Sequence, residues 1–184
     1  RLAFTLSRYK FVSKMMSGFT SVLEIGSADA FASRIVAQSV NHLVATDIDP
    51  VFLQDSMERK IDNDHFNIEF QHLDILGEVP DKNYDGVYAL DVFEHIKEID
   101  EHTFLSNCLR LLAPNGVLIL GMPSIESQPY ASEPSKRGHV NCKSGEDFKN
   151  VVGKYFSNTF LFSMNDEVVH TGFSKMANYV LIMC

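Results

Sequence analysis

Asp91, Glu94 and His95 stand together in YDGVYALDVFEHI, residues 84–96. Two carboxylates and an imidazole this close can orient a substrate hydroxyl, take its proton or return one. Two further histidines sit in polar stretches, His139 in KRGHVN and His170 in EVVHTGF. An oxygen nucleophile benefits from a base, and His139, His170 and His95 are the three candidates for that role. Neither loop spacing defines a catalytic dyad, so packing roles stay open for His139 and His170, and a helix-start structural role for His95.

A second group of residues suits a nucleoside. VLEIGSADAF, residues 22–31, runs from an apolar stretch through Glu24 to Gly26, then into helix-forming sequence. A glycine there lets backbone approach a ligand at the carboxyl end of a strand. Asp47 in VATDIDP follows about 20 residues on, the separation at which an acid meets ribose hydroxyls. Asp49 reads as an N-cap for the helix that Pro50 opens. These two motifs fit either a sulfonium nucleoside or a nicotinamide dinucleotide.

Short apolar runs alternating with helix-length amphipathic segments predict a mostly parallel α/β sheet. The expected elements are a helix over 6–17, strands at 21–25, 42–46, 67–72, 85–90 and 116–122, and helices at 30–39, 50–60, 101–112 and 144–155. Residues 123–141 show no period, carry Pro123, Pro129, Pro134 and Gly138, and are expected to form a substrate-side loop. The last two strands, 156–164 and 177–184, are separated by too few residues for a crossover helix and must be antiparallel neighbours.

In order and spacing these motifs resemble the class I methyltransferases that use S-adenosylmethionine (SAM). DVFEHI is similar to the pattern of their ubiquinone-biosynthesis branch, LLAPNG to their turn before the fifth strand, and the tail from Lys154 to that of bacterial glycan-pathway enzymes. The departure is Ala28 and Ala30, where the family's loop has its second and third glycines. The resemblance implies one domain over residues 1–184, with residues 1–20 an N-terminal helical segment. It implies a Rossmann-like three-layer sandwich with a seven-stranded sheet ordered 3-2-1-4-5-7-6, the last strand antiparallel. It assigns cofactor contacts to Glu24, Gly26, Ser27, Ala28, Asp47 and Asp91, with Ile48 and Ile75 against the adenine and Asp74 at its amino group. Asp74 as a plain turn cap is the competing reading. Arg8 and Tyr9 are expected near the methionine carboxylate.

The 184 residues carry a formal charge of −8 and no clustered basic patch, which disfavours nucleic acid as a substrate. Three scattered cysteines argue for a reducing cytoplasm and against a zinc or disulfide framework, and no metal ligands are expected. Neither a membrane span nor a signal peptide is expected, and with Arg1 in place of Met a natural start upstream is an expectation. The function implied is methyl transfer to a small molecule, with O-methylation of a sugar or other polyhydroxylated metabolite first. The alternatives are methylation of an aromatic or quinone precursor, a methyltransferase-like scaffold without catalysis, and, more distantly, a nicotinamide enzyme.

Overall fold

In a computed structural model, described for residues 2–58 and 67–184, the chain folds around one eight-stranded sheet. Helix α1 spans Leu2–Met15; β1 (Val22–Ile25), α2 (Ser33–Ala37), β2 (Leu43–Asp47), α3 (Pro50–Glu58) and β3 (Ile68–His72) follow. Then come β4 (Tyr84–Leu90), α4 (Glu101–Leu111), β5 (Leu112–Pro123), α5 (Glu133–Gly138), α6 (Gly145–Val152), β6 (Phe160–Met164), β7 (Val169–His170) and β8 (Tyr179–Met183). The expected helix to Lys60 runs past the described residues after Glu58.

The strand order is β3-β2-β1-β4-β5-β8-β6-β7. Strands β3, β2, β1, β4 and β5 are parallel; β8 is antiparallel to β5 and β6, between which it lies. This is the expected arrangement with one addition, the two-residue β7 on the outer edge, which pairs His170 with Ser163. Two residues give too short a periodic signal to read from sequence.

Alternation along the buried strands divides the core. Leu23, Val87, Ala89, Leu118, Leu120 and Ile182 face one way and pack with Phe104 and Leu111 of α4 and Phe148 and Val152 of α6. Val22, Tyr88, Leu90, Ile119 and Leu181 face the other way, onto Val12 of α1 and Val36 of α2. A sheet covered on both faces by helices is the three-layer plan, and it explains why β1, β2 and β4 read as near-continuous apolar runs.

Local chemistry fixes several boundaries. Asp49 caps α3, its Oδ1 accepting from the Val51 N–H at 2.9 Å. Ser144 caps α6, its Oγ accepting from the Asp147 N–H at 3.1 Å and donating to the Asp147 carboxylate at 2.7 Å. The segment 123–141 is no irregular loop. It forms a 3-10 turn over Ile125–Tyr130, capped by Ser124, and then α5, capped by Ser132. Both elements are too short for hydrophobic periodicity, and their prolines stand at turn and first-turn positions. The helix expected over 30–39 is only Ser33–Ala37, because Ala28 and Ala30 take left-handed φ values of 46° and 50° and delay its start.

Candidate active site

The carboxyl ends of β1, β2 and β4 converge on one crevice. Gly26 leaves β1 with φ 76°, and a Cβ there would meet Val92 Cγ2 at 2.3 Å, so only glycine lets the loop pass the end of β4. Asp47, at the end of β2, is mostly buried and cross-braces the crevice. Its Oδ2 accepts from the Ala28 N–H at 2.8 Å and its Oδ1 from the Asp49 N–H at 2.9 Å. Each oxygen keeps a lone pair for a further donor.

Three cavities meet here. The first, about 350 Å³, is bounded by Gly26, Ala28, Asp47 and Asp74, with apolar walls that include Ile48, Ile75 and Val92. The second, about 310 Å³, lies between α1 and the loop after β1, lined by Tyr9, Gly26, Ser27, Ala28 and Phe31. The third, about 470 Å³, lies under residues 123–139 and is lined by Arg8, Glu94, His95, Ser127, Gln128, His139 and Tyr179. Asp91 borders all three. A larger cavity of about 600 Å³ lies beside β3 and α4, at Gln71, Glu78, Asp81 and Arg110. It touches neither Gly26 nor Asp91, so volume alone does not choose the site.

Asp91 is itself held in the left-handed region, at φ 59°. Arg8 Nη1 of α1 donates to its Oδ1 at 2.6 Å. The Arg8 guanidinium also lies over the rings of Tyr179 at 4.3 Å and Phe4 at 5.3 Å. Burial opposes the arginine's charge, but Tyr179 and Asp91 together outweigh it and the proton is held more tightly than usual. Arg8 therefore faces the third cavity, while its neighbour Tyr9 lines the second.

Behind the crevice, Glu24 is fully buried and burial drives its carboxyl up to about 7, against the pull of hydroxyls from Ser33, Tyr88 and Tyr9. Among the described residues, neither carboxylate oxygen closes a hydrogen bond of ordinary geometry. Glu24 borders none of the three cavities, which places it behind the glycine loop. Burial likewise pushes Glu94 up to about 8, with Asp91 adding to the shift.

The histidines separate. His95 and His139 come together with ring centres 5.3 Å apart, because the segment 123–141 docks on the turn after β4. His95 Nδ1 bonds the Gly138 carbonyl at 2.9 Å, and the Asn141 N–H bonds the Glu94 carbonyl at 3.0 Å. Asn141 Nδ2 and Lys143 Nζ each reach Glu101 Oε1 at 2.7 Å. His170 instead lies on β7 at the sheet edge, accepts the Gly172 N–H on Nδ1 and borders none of the three cavities. Asp74 both lines the first cavity and caps its own turn, accepting the Leu76 N–H at 2.9 Å.

Ser127, Gln128, Ser135, Asn178 and Tyr179 line the third cavity and were not singled out from sequence. The signal available was the pair of Ser-x-x-Ser spacings, 124–127 and 132–135, each of which marks a capped turn.

The residues fit a SAM-sized nucleoside. The first cavity has apolar walls for a base and two rim carboxylates for hydroxyl and amino donors, and the first two cavities share Gly26, Ala28 and Asp91.

A family model described as a methyltransferase domain matches residues 23–118, more than half the chain. A Mycolicibacterium smegmatis protein named "Probable S-adenosylmethionine-dependent methyltransferase" is 28% identical over 122 residues. The match covers 65% of this chain and 44% of that relative, so the chain spans under half the length of that protein. Among solved structures, the N-methyltransferase NodS from Bradyrhizobium japonicum WM9 in complex with S-adenosylhomocysteine superposes with TM-score 0.72 at 18% identity, over 97% of this chain and 84% of that one. A DhpI complex with S-adenosylhomocysteine gives 0.71 at 14% identity, over 98% and 82%. At these identities the two structures speak for the fold, and the family match speaks for descent. The chain belongs to the class I SAM-dependent methyltransferase family.

Proposed function

We propose that this chain transfers a methyl group from SAM to a hydroxyl of a small polyhydroxylated acceptor. The observation that carries the reading is that Asp91 borders all three cavities, joining the nucleoside crevice to a separate polar chamber. When bound, the cofactor supplies an electrophilic methyl on a positively charged sulfur.

The chain's own residues do the rest. Asp47 takes the ribose hydroxyls on its spare lone pairs, in a geometry already fixed by two backbone N–H groups. Ile48 and Ile75 flank the base, and Asp74 accepts from its amino group. Ser27, Ala28 and Tyr9 line the space for the amino-acid end. In the third cavity Ser127, Gln128, Ser135 and Asn178 offer hydroxyls and amides to an acceptor rich in hydroxyls. Transfer forms an O–C bond as the S–C bond breaks, and the hydroxyl proton must leave. His139 sits where it can assist, since burial and the neighbouring His95 lower its pKa against the pull of Asp91, which favours the neutral ring over the charged one on balance.

The same cavity favours a hydroxylated acceptor over an arene or quinol: Thr5, Ser127, Gln128, Ser135 and Asn178 outnumber the aromatic side chains of Phe4, Tyr130 and Tyr179 on its wall. The chain's charge of −8 argues for a small molecule over a nucleic acid. Turnover of methyl-labelled SAM against parallel panels of sugars and nucleotide sugars, quinols and arenes tests the assignment. Methylation of a hydroxyl on a polyol supports it; turnover confined to quinols or arenes overturns it. Failure to bind SAM at millimolar concentration would favour the non-catalytic scaffold.

A further inference from the structure

We propose that Glu94, His95 and His139, with Asp91 beside them, form a divalent-cation site on the wall of the acceptor cavity, suited to Mn2+, Fe2+ or Zn2+. One ligand atom from each of Glu94, His95 and His139 lies within 4.8 Å of the others, close enough to share one ion. No such site was expected from sequence, where cysteine spacing was the only metal signal weighed. The fold assembles it by docking the 123–141 segment on the turn after β4.

Two independent features show that the cluster is built for a ligand. Glu94 is 1% exposed, yet among the described residues neither of its carboxylate oxygens has a hydrogen-bond partner. An unpartnered buried carboxylate is costly unless something positive or protonated meets it, and Arg8 is already committed to Asp91 and Tyr179. The second feature is the orientation of the rings. His95 Nδ1 faces the Gly138 carbonyl and must donate to it. His139 Nδ1 faces Gln128 Oε1 at 2.9 Å. The Gln128 amide nitrogen is engaged with the Ser124 carbonyl and Ser127 Oγ, so its oxygen is the acceptor and His139 Nδ1 the donor. In its neutral form each ring is thereby locked with Nδ1 protonated and Nε2 carrying the lone pair. Bonding of the far nitrogen to a protein oxygen is how metal-bound imidazoles are held in register.

Two imidazoles and a carboxylate make a mixed nitrogen and oxygen donor set, which suits Mn2+, Fe2+ or Zn2+ better than Ca2+. Three protein ligands leave positions open toward the third cavity, the pattern of a site that also takes substrate oxygens. That last step rests on the hydroxyl-acceptor reading above. With an ion in place, the cation would lower the pKa of a bound acceptor hydroxyl, whose proton would pass to water, and His139 would serve as a metal ligand in place of a free base.

The site is tested without SAM or acceptor, so its failure is separate from failure of the methyl-transfer reading. MnCl2 is titrated into the full chain and free Mn2+ is counted by electron paramagnetic resonance; ZnCl2 is then used in competition. The expected result is one saturable ion per chain, weakened at least about tenfold in His139→Ala and Glu94→Gln and unchanged in His170→Ala. Circular dichroism identifies any variant that does not fold, and His139, which is only half-buried, carries the test if Glu94→Gln fails. Absence of saturable binding at millimolar Mn2+ and Zn2+, or equal binding by wild type and His139→Ala, overturns the proposal.

Discussion

Ala28 and Ala30 occupy backbone conformations that suit glycine, at φ 46° and 50°, and the cost differs between them. A left-handed alanine is strained by about 1–2 kcal/mol. Replacing it with glycine removes that strain but frees the unfolded chain, which takes back about 0.4–1 kcal/mol. Ala28 is exposed, so its methyl contributes little burial, and its N–H bond to Asp47 is made by backbone that glycine retains. Ala28→Gly is therefore expected to stabilise the protein by about 0.5–1 kcal/mol, which raises Tm by about 1–4 °C in a chain of this length. Ala30 is 2% exposed, and losing its methyl forfeits about 0.8 kcal/mol more. Ala30→Gly should come out near zero or slightly destabilising. Urea unfolding with an unchanged m-value, alongside a thermal scan, measures both. A loss of about 1 kcal/mol in Ala28→Gly, or a larger gain in Ala30→Gly than in Ala28→Gly, would refute the strain argument.

Gly26→Ala should behave oppositely, since its Cβ would lie 2.3 Å from Val92 Cγ2 at φ 76°; a destabilisation of at least about 2 kcal/mol is expected by urea unfolding. Glu24 should make stability pH-dependent. Its carboxyl is raised from an ordinary 4.5 to about 7 in the folded chain, so its contribution is full below pH 4.5 and is lost as pH rises through 7. The swing is about 3 kcal/mol, and Glu24→Gln should flatten that part of a stability profile between pH 4.5 and 8. Arg8→Ala removes both the bond to Asp91 and the stacking on Tyr179. Because Asp91 is 40% exposed and can rehydrate, the stability cost should stay near 1–2 kcal/mol, roughly the low end for a broken pair, while methyl transfer falls far more. A steady-state assay beside a melting curve separates the two.

The parallel strands were legible because burial on both faces leaves near-continuous apolar runs, broken in VLEI only by Glu24 and in LVATD only by the closing Thr46 and Asp47. The caps at Asp49 and Ser144 were legible because capping is local chemistry, settled within three residues. Asp47 was placed at the crevice by its distance from Gly26, which the fold converts into adjacent strand ends. What sequence did not show was long-range or too short for a period. Arg8 meets Asp91 across 83 residues. His95 and His139 meet only because the segment 123–141 folds into two brief capped turns. His170, equally polar in its surroundings, is carried to the outer edge by the added β7. Glu24 looks like a ligand group in sequence, yet its side chain points into the protein behind the loop.

Calorimetric titration of S-adenosylhomocysteine into wild type, Asp47→Asn and Asp47→Ala tests the crevice most directly. Wild type should bind in the micromolar range. Asp47→Asn retains one acceptor and should weaken binding about tenfold, and Asp47→Ala, which also releases the Ala28 and Asp49 N–H groups, should weaken it about a hundredfold. Binding that is absent in wild type, or equally tight in all three proteins, would contradict the placement of the nucleoside across the ends of β1 and β2.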